Sequence, residues 1–278
     1  MAFQKLNFNV SPEAFAGHVD IHDPKLMERV EQRNKNMNAR WSHQNQQNKI
    51  RATWNKSLWA SGEIEFTFDD WKPDERDNVK KARMLGNKAF TLTKEMVNGH
   101  LNVVMSGDAG VGKTSLALAI LDKLRLAGKT TLFVSVIALN ELVSNQYEYA
   151  DQKDRLYYLQ KAMCKSDILL LDDFGADGGD IGKVMSDRFT GARKDMQSLM
   201  YKVANQRYEG TPKERKDAKK DGIKLIKPVH QTIITTNNMT SELERIYGQR
   251  TVSRLITRDP NHRLAFNDME DMRAKEGI

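Results

Sequence analysis

Cysteines and long apolar runs are almost missing from this sequence. Cys164 is the single cysteine among 278 residues, which excludes a disulfide framework and the small secreted scaffolds that depend on one. No apolar run approaches membrane-spanning length, and residues 1–7 carry no apolar core of signal-peptide length. We therefore expect a cytoplasmic protein with no membrane partner.

Negative charge is also in short supply. The chain carries 44 Lys and Arg against 37 Asp and Glu, for a net charge of +7 and a pI near 9.3. An excess of this size suits contact with a polyanion, although it does not require one. The length is enough for one domain of about 200 residues and a small additional module.

The most specific motif follows a short apolar stretch, residues 101–105. Residues 107–114 match G-x-x-x-x-G-K-[ST], and helix formers occupy residues 115–124. A strand, a glycine loop and a helix in this order form a phosphate-binding loop, in which backbone N–H groups and the helix N-terminus face the phosphates. The predicted nucleotide-binding residues are Gly107, Asp108, Ala109, Gly110, Val111, Gly112, Lys113, Thr114 and Ser115. Lys113 is expected to reach the β- and γ-phosphates, and the Thr114 hydroxyl to ligate Mg²⁺.

Two acids end the next strongly apolar segment. Residues 168–171 read as a strand buried on both faces, and Asp172 and Asp173 follow it directly. We expect Asp172 to hold Mg²⁺ opposite Thr114, and Asp173 to orient and polarise the attacking water. Paired acids favour ATP hydrolysis over phosphoryl transfer to a small substrate. The absence of an N-K-x-D motif downstream argues against a GTPase.

A further β-branched segment, residues 231–236, ends in Asn237 and Asn238. Such a strand can place the Asn237 amide beside the γ-phosphate and the water, but the two asparagines fit a turn equally well. Residues 129–136 read as another strand of the same sheet, and residues 151–165 as a helix. The order of these segments is typical of ATPases with an extra strand between the phosphate loop and the acidic strand.

On these motifs the chain resembles the AAA+ ATPases of the bacterial replicative helicase loader type (DnaC/DnaI), with the IstB-like transposition helpers as close relatives. The resemblance extends from about Phe66 to Arg273 and includes the segments 66–71, 172–175, 207–209 and 235–237. It implies an α/β fold, a five-stranded parallel sheet flanked by helices. It also implies slow ATP hydrolysis that rises when the protein forms an oligomer through the ATP interface or meets DNA or a partner.

The resemblance also assigns residues. Residues 248–255 are similar to the segment that carries the arginine finger, so Arg254 takes that role, with Arg250 as the competing choice. Asn237 fits the family's sensor position. Arg273 matches a last arginine that contacts the γ-phosphate within its own subunit. With Asp173, these residues complete the predicted catalytic set.

The N-terminal region, residues 1–61, is predicted to be a small, mainly helical module, and residues 62–278 the ATPase domain. Basic residues predominate between residues 24 and 59, and all four tryptophans lie there or just after it: Trp41, Trp54, Trp59 and Trp71. They could form the core of the module or anchor a partner, since Trp is frequent at the energetic centre of interfaces. In the resembling family, this module binds the replicative helicase.

The predicted function is therefore that of an ATP-dependent loader, which binds the replicative DNA helicase and helps place it on single-stranded DNA. The alternative is an IstB-like ATPase that regulates a transposase on duplex DNA. One insertion distinguishes the chain from its relatives. Residues 210–229 are rich in lysine and arginine and read as a solvated loop that could also touch a nucleic-acid backbone.

Overall fold

A computed structural model of the chain describes residues 24–179 and 191–272. Within these residues the chain forms nine α-helices and five β-strands. The helices are α1 (Pro24–Trp54), α2 (Val79–Asn98), α3 (Lys113–Leu126), α4 (Val136–Asn145), α5 (Ala150–Lys165), α6 (Lys194–Glu209), α7 (Pro212–Lys220), α8 (Thr240–Tyr247) and α9 (Gln249–Leu255). The strands are β1 (Val103–Ser106), β2 (Thr131–Ser135), β3 (Ile168–Asp172), β4 (Gln231–Thr236) and β5 (Arg263–Ala265). Among the helices so described, none is both long and apolar enough to cross a membrane.

The five strands form one sheet in the order β2-β3-β4-β1-β5, and every pairing is parallel. The fold predicted from the sequence is thereby confirmed, with β1 beginning two residues after the start of the predicted segment. Because all strands run the same way, their carboxyl ends meet at one edge of the sheet, where ligands bind in open α/β folds.

Both faces of the sheet are covered, and alternate residues of one strand face opposite layers. In β3, Leu169 and Leu171 belong to a core with α4, α5, α6, α8 and α9, whereas Ile168 and Leu170 pack with α2 and α3. This arrangement explains why β3 reads as an uninterrupted apolar run, since a strand buried on both faces has no position for a solvated side chain.

The sequence predicted that the basic insertion, residues 210–229, is a loop. This prediction is wrong for part of it. Its first part forms α7, which begins with a capping box. Thr211 accepts a hydrogen bond from the Glu214 N–H, and the Glu214 carboxylate accepts one from the Thr211 N–H at 2.7 Å. Pro212 occupies the first helical position, where its missing N–H has no cost. Local capping therefore gives a helix to a segment with no apolar periodicity.

The chain divides into two compact units, Met1–Gln46 and Gln47–Ile278. In the first unit the structure describes residues 24–46, a helical segment on which Trp41 is 67% exposed. The division falls before the predicted boundary at residue 61, because the residues that follow Gln47 pack within the second unit. Trp59 stacks on Phe133 of β2 with ring centroids 3.9 Å apart, and Trp54 meets Trp59 edge to face.

Candidate nucleotide-binding and catalytic site

The phosphate loop follows β1 at the carboxyl edge of the sheet and leads into α3. Gly110 and Gly112 adopt φ angles of 75° and 93°, a region that side-chain-bearing residues rarely occupy. A β-carbon on Gly112 would also lie 3.0 Å from the rings of Trp71. The loop therefore needs glycine at these two positions. The first residues of α3, Lys113, Thr114 and Ser115, line a cavity, so the positive end of the helix dipole faces that cavity.

The Lys113 side chain joins the phosphate loop to the end of β4. It is 5% exposed, and its Nζ donates to the Gly107 carbonyl at 2.9 Å and to the Asn237 side-chain oxygen at 2.6 Å. It also donates to the Asp108 carbonyl. A cation held at the mouth of the loop by neutral oxygens keeps its charge available for an anionic ligand.

Asp172, the last residue of β3, lies between two hydroxyl groups. Its Oδ1 accepts hydrogen bonds from Thr114 of α3 and from Thr235 of β4, both at 2.7 Å. Burial raises the pKa of the Asp172 carboxyl, against the two hydroxyl hydrogen bonds, which lower it. A carboxylate and a hydroxyl at this distance are hard oxygen donors of the kind that Mg²⁺ takes together with phosphates. The pair therefore fits the metal that the sequence assigned to it.

Asp173 differs from Asp172 in its backbone conformation and in the direction of its side chain. Its φ is 53°, in the left-handed region, and its N–H donates to the Thr235 hydroxyl at 2.9 Å. This turn directs the Asp173 side chain into the cavity rather than into the sheet, so the two adjacent acids face different surroundings. The single Thr235 hydroxyl contacts both of them.

Lys113, Thr114 and Asp173 line one cavity of about 510 Å³, a volume typical of small-molecule sites, whereas Asp172 lies behind Thr114 and is not among the lining residues. Its walls also include the segment before α2, in which Arg76 lies over the Trp71 ring with its guanidinium carbon 4.7 Å from the ring centroid. The predicted residues that line the cavity are Ala109, Gly110, Gly112, Lys113, Thr114, Ser115, Asp173 and Asn237. The cavity is therefore shared by the phosphate loop, the acidic turn and the end of β4.

Arg254 lies elsewhere in the fold. The Asn102 side-chain amide donates to the carbonyls of Arg254 and Leu255, at 3.0 and 3.1 Å, and Asn102 directly precedes β1. Arg254 therefore sits at the amino end of β1, whereas the phosphate loop follows its carboxyl end. The alternative residue, Arg250, is exposed one turn earlier on α9, and its carbonyl accepts a hydrogen bond from Arg254 at 2.8 Å. Arg273 lies outside the described residues.

The sequence reading missed two positioning residues, Thr235 and Asn102. The sequence places Thr235 only in the segment before Asn237, although a hydroxyl late in β4 indicates a hydrogen-bond partner for the acids at the end of β3. Asn102 has no such signal, because its three hydrogen bonds link segments far apart in sequence.

Comparison with known protein families matches residues 26–192 to the IstB-like ATP binding proteins. The chain belongs to this family. Its phosphate loop and five-stranded parallel sheet make it an AAA+ P-loop ATPase, as the sequence predicted.

The sequence is also similar to those of individual proteins. The chain is 25% identical over 206 residues to an insertion sequence IS21 ATP-binding protein of Pseudomonas aeruginosa, covering 69% of this chain and 66% of that one. It is 28% identical over 89 residues to the uncharacterized protein YdaV of Escherichia coli K12, covering 32% of this chain and 35% of that one. The matches thus span between about a third and two thirds of the relatives' lengths. Among solved structures, the DnaC helicase loader is similar, with a TM-score of 0.46, 18% identity, and coverage of 77% of this chain and 98% of that chain.

Proposed function

We propose that the chain hydrolyses ATP in this cavity, with Asp173 as the group that activates water. Lys113 and the N–H groups of the phosphate loop hold the β- and γ-phosphates, and Asn237 keeps the Lys113 ammonium oriented toward them. Asp173 faces the same cavity as Lys113, so its carboxylate can accept the proton of a water that attacks the γ-phosphorus. Thr235 fixes the turn that gives Asp173 this direction.

Thr114 and Asp172 would hold Mg²⁺. When bound, the ion would neutralise charge that develops on the phosphate oxygens. The protein's own contribution is to keep the Asp172 carboxylate in place through two hydroxyl groups and to leave Asp173 free for the proton. The division of roles follows from the different directions of two neighbouring side chains.

The position of Arg254 carries the proposal that hydrolysis needs a second subunit. From Asn102 to Gly107 the extended chain covers about 16 Å at roughly 3.3 Å per residue, farther than an arginine side chain extends. Arg254 therefore does not reach the nucleotide of its own subunit, which supports a role for it at the nucleotide of a neighbouring copy. An arginine delivered in this way stabilises the charge of the transferring phosphoryl group, so turnover is slow until the oligomer forms.

With hydrolysis tied to assembly, ATP can time the release of a partner. We therefore favour a cytoplasmic loader that binds the replicative DNA helicase through its N-terminal module and helps to place it on single-stranded DNA. The support is the resemblance of residues 248–255 to the finger segment of helicase loaders. The match with the IS21 ATP-binding protein favours the second candidate, an ATPase that regulates a transposase on duplex DNA.

A trapped complex tests the two candidates directly. The 278-residue chain with Asp173→Asn, in the presence of ATP, would serve as bait in a cell lysate, because a block after ATP binding preserves the assembled state. A loader should retain a hexameric replicative helicase, and a chain that begins at Gln47 should not, since it lacks the first unit. Recovery of a transposase instead would replace the loader with the second candidate.

A further inference from the structure

The basic insertion, residues 210–229, connects α6 to β4, and its two ends lie side by side. The Val229 N–H donates to the Tyr208 carbonyl at 3.3 Å, and the His230 N–H to the Arg207 carbonyl at 2.9 Å. Arg207 is itself fixed: it is 1% exposed and donates to the Thr232 hydroxyl at 2.9 Å and to the Ser166 carbonyl at 3.0 Å. α7 therefore projects from a rigid base.

One side of α7 faces the protein. Glu214 and Ala218 are half-buried, and the other residues of the helix are exposed. The Glu214 carboxylate accepts hydrogen bonds from Thr211 and lies 3.0 Å from His230 Nε2. These bonds to two neighbours hold the helix in one orientation. They also turn the Glu214 charge away from the outer face.

The outer face is cationic. At 3.6 residues per turn, five basic side chains fall within an arc of about 160° whose centre lies opposite Glu214. All five are exposed, and none forms an ion pair with another residue of the described ranges. We call them the α7 cations: Lys213, Arg215, Lys216, Lys219 and Lys220.

We propose that the α7 cations bind the phosphodiester backbone of a nucleic acid. A protein partner would be expected to find aromatic anchors among the exposed residues, because Trp, Tyr and Arg dominate interface energies, and α7 has no aromatic residue and a single arginine, Arg215. Long, flexible cationic side chains along one helix face instead suit a row of phosphates. Phosphates attract positive charge and do not require close shape complementarity. This inference names the contact surface for the nucleic acid in the proposed function.

The contact gives a measurable dependence on salt. Each phosphate neutralised adds about 0.7 to the slope of log affinity against log salt for a single strand, and about 0.9 for a duplex. If three lysines of the arc each contact a phosphate of a single strand, their loss should lower the slope by about 2. A fourfold rise in salt should then weaken the parent about 20-fold more than the variant.

The test uses the full chain with Lys216→Gln, Lys219→Gln and Lys220→Gln together. Glutamine keeps the helix and removes charge without adding repulsion. The matched control is Lys80→Gln, Lys94→Gln and Lys153→Gln, three exposed lysines on α2 and α5 with the same change in net charge. Fluorescence anisotropy with labelled single-stranded and duplex oligonucleotides, across a salt series, reports affinity and slope. The oligonucleotide, single-stranded or duplex, whose salt-dependence slope falls in the variant is the type of nucleic acid that α7 contacts.

We expect the α7 variant to lose slope and the control to keep it, with ATP binding unchanged in both because α7 lies outside the nucleotide cavity. Equal slopes for variant and parent, or an equal loss in the control, would overturn the assignment to α7. A parent that binds neither oligonucleotide would overturn the nucleic-acid role itself.

Discussion

Replacing Asp173 with asparagine separates ATP hydrolysis from ATP binding. The substitution is conservative in this place for a structural reason. Asp173 has a φ of 53°, and asparagine is one of the few residues that enter this region readily, so the turn is retained. The N–H bond to the Thr235 hydroxyl also remains, because it comes from the backbone. Only the charge and the proton-accepting oxygen are lost.

The expected size of the effect follows from that single loss. Proton transfer to a positioned carboxylate contributes roughly 10²- to 10⁴-fold to rate, so kcat should fall by a factor in this range. ATP affinity should stay within a few-fold of the parent, because the phosphates are held by Lys113 and the loop. Any change in affinity should be toward tighter binding, because the substitution removes a negative charge that repels the anionic nucleotide.

Two measurements on one preparation give the answer: steady-state phosphate release, and equilibrium binding of a fluorescent ATP analogue. Asp268→Asn is the matched control, since Asp268 also has a positive φ, 64°, is exposed, and does not line the cavity. It should leave both measurements unchanged. Parent-like turnover in Asp173→Asn would refute the role of Asp173, and loss of ATP binding would mean that this residue holds the nucleotide instead.

Three further predictions concern the other groups of the site. Lys113→Ala should abolish both ATP affinity and turnover, which binding of the same analogue will show; retained affinity would contradict its role toward the phosphates. Arg254→Ala should bind ATP normally and lose on the order of 10³-fold in turnover. Mixing it with Asp173→Asn should restore part of the activity, because some interfaces then pair an intact Arg254 with an intact Asp173. Mixtures that stay inactive would argue against action between subunits. Arg250→Ala in the same mixing test checks the competing arginine. Asp172→Asn should melt at a higher temperature than the parent near pH 7 in the absence of nucleotide and Mg²⁺. Because burial raises the Asp172 pKa, its stabilising protonated form is lost as pH rises, so the difference should shrink toward pH 4 and a constant difference would contradict this cause.

Asp172 and Asp173 show which features of the site can be predicted from neighbouring residues alone. Apolar residues followed by two acids identify β3 and its end, because a strand buried on both faces has a recognisable composition. The sequence could not tell that Asp172 would point between two hydroxyls while its neighbour turns into the cavity. That difference depends on Thr235, 62 and 63 residues away along the chain.

The basic insertion contains a helix-start signal beside its high charge. Thr211, Pro212 and Glu214 are spaced as a capping box with proline at the first helical position, which predicts a helix start. The high charge suggested a solvated loop instead. Charge reports solvation, whereas capping reports backbone conformation, and here the capping decided.

By itself the sequence determined what depends on neighbours along the chain: the phosphate loop between β1 and α3, the buried parallel strands, and the family to which they belong. Tertiary structure alone decided what depends on contacts across the chain. The order of the strands brings Thr235 to both acids, Asn102 holds the Arg254 backbone at the far end of β1, and Arg207 is buried beneath the base of α7. The physical reason is that a side chain acquires its direction and partners only when strands distant in sequence pair in one register.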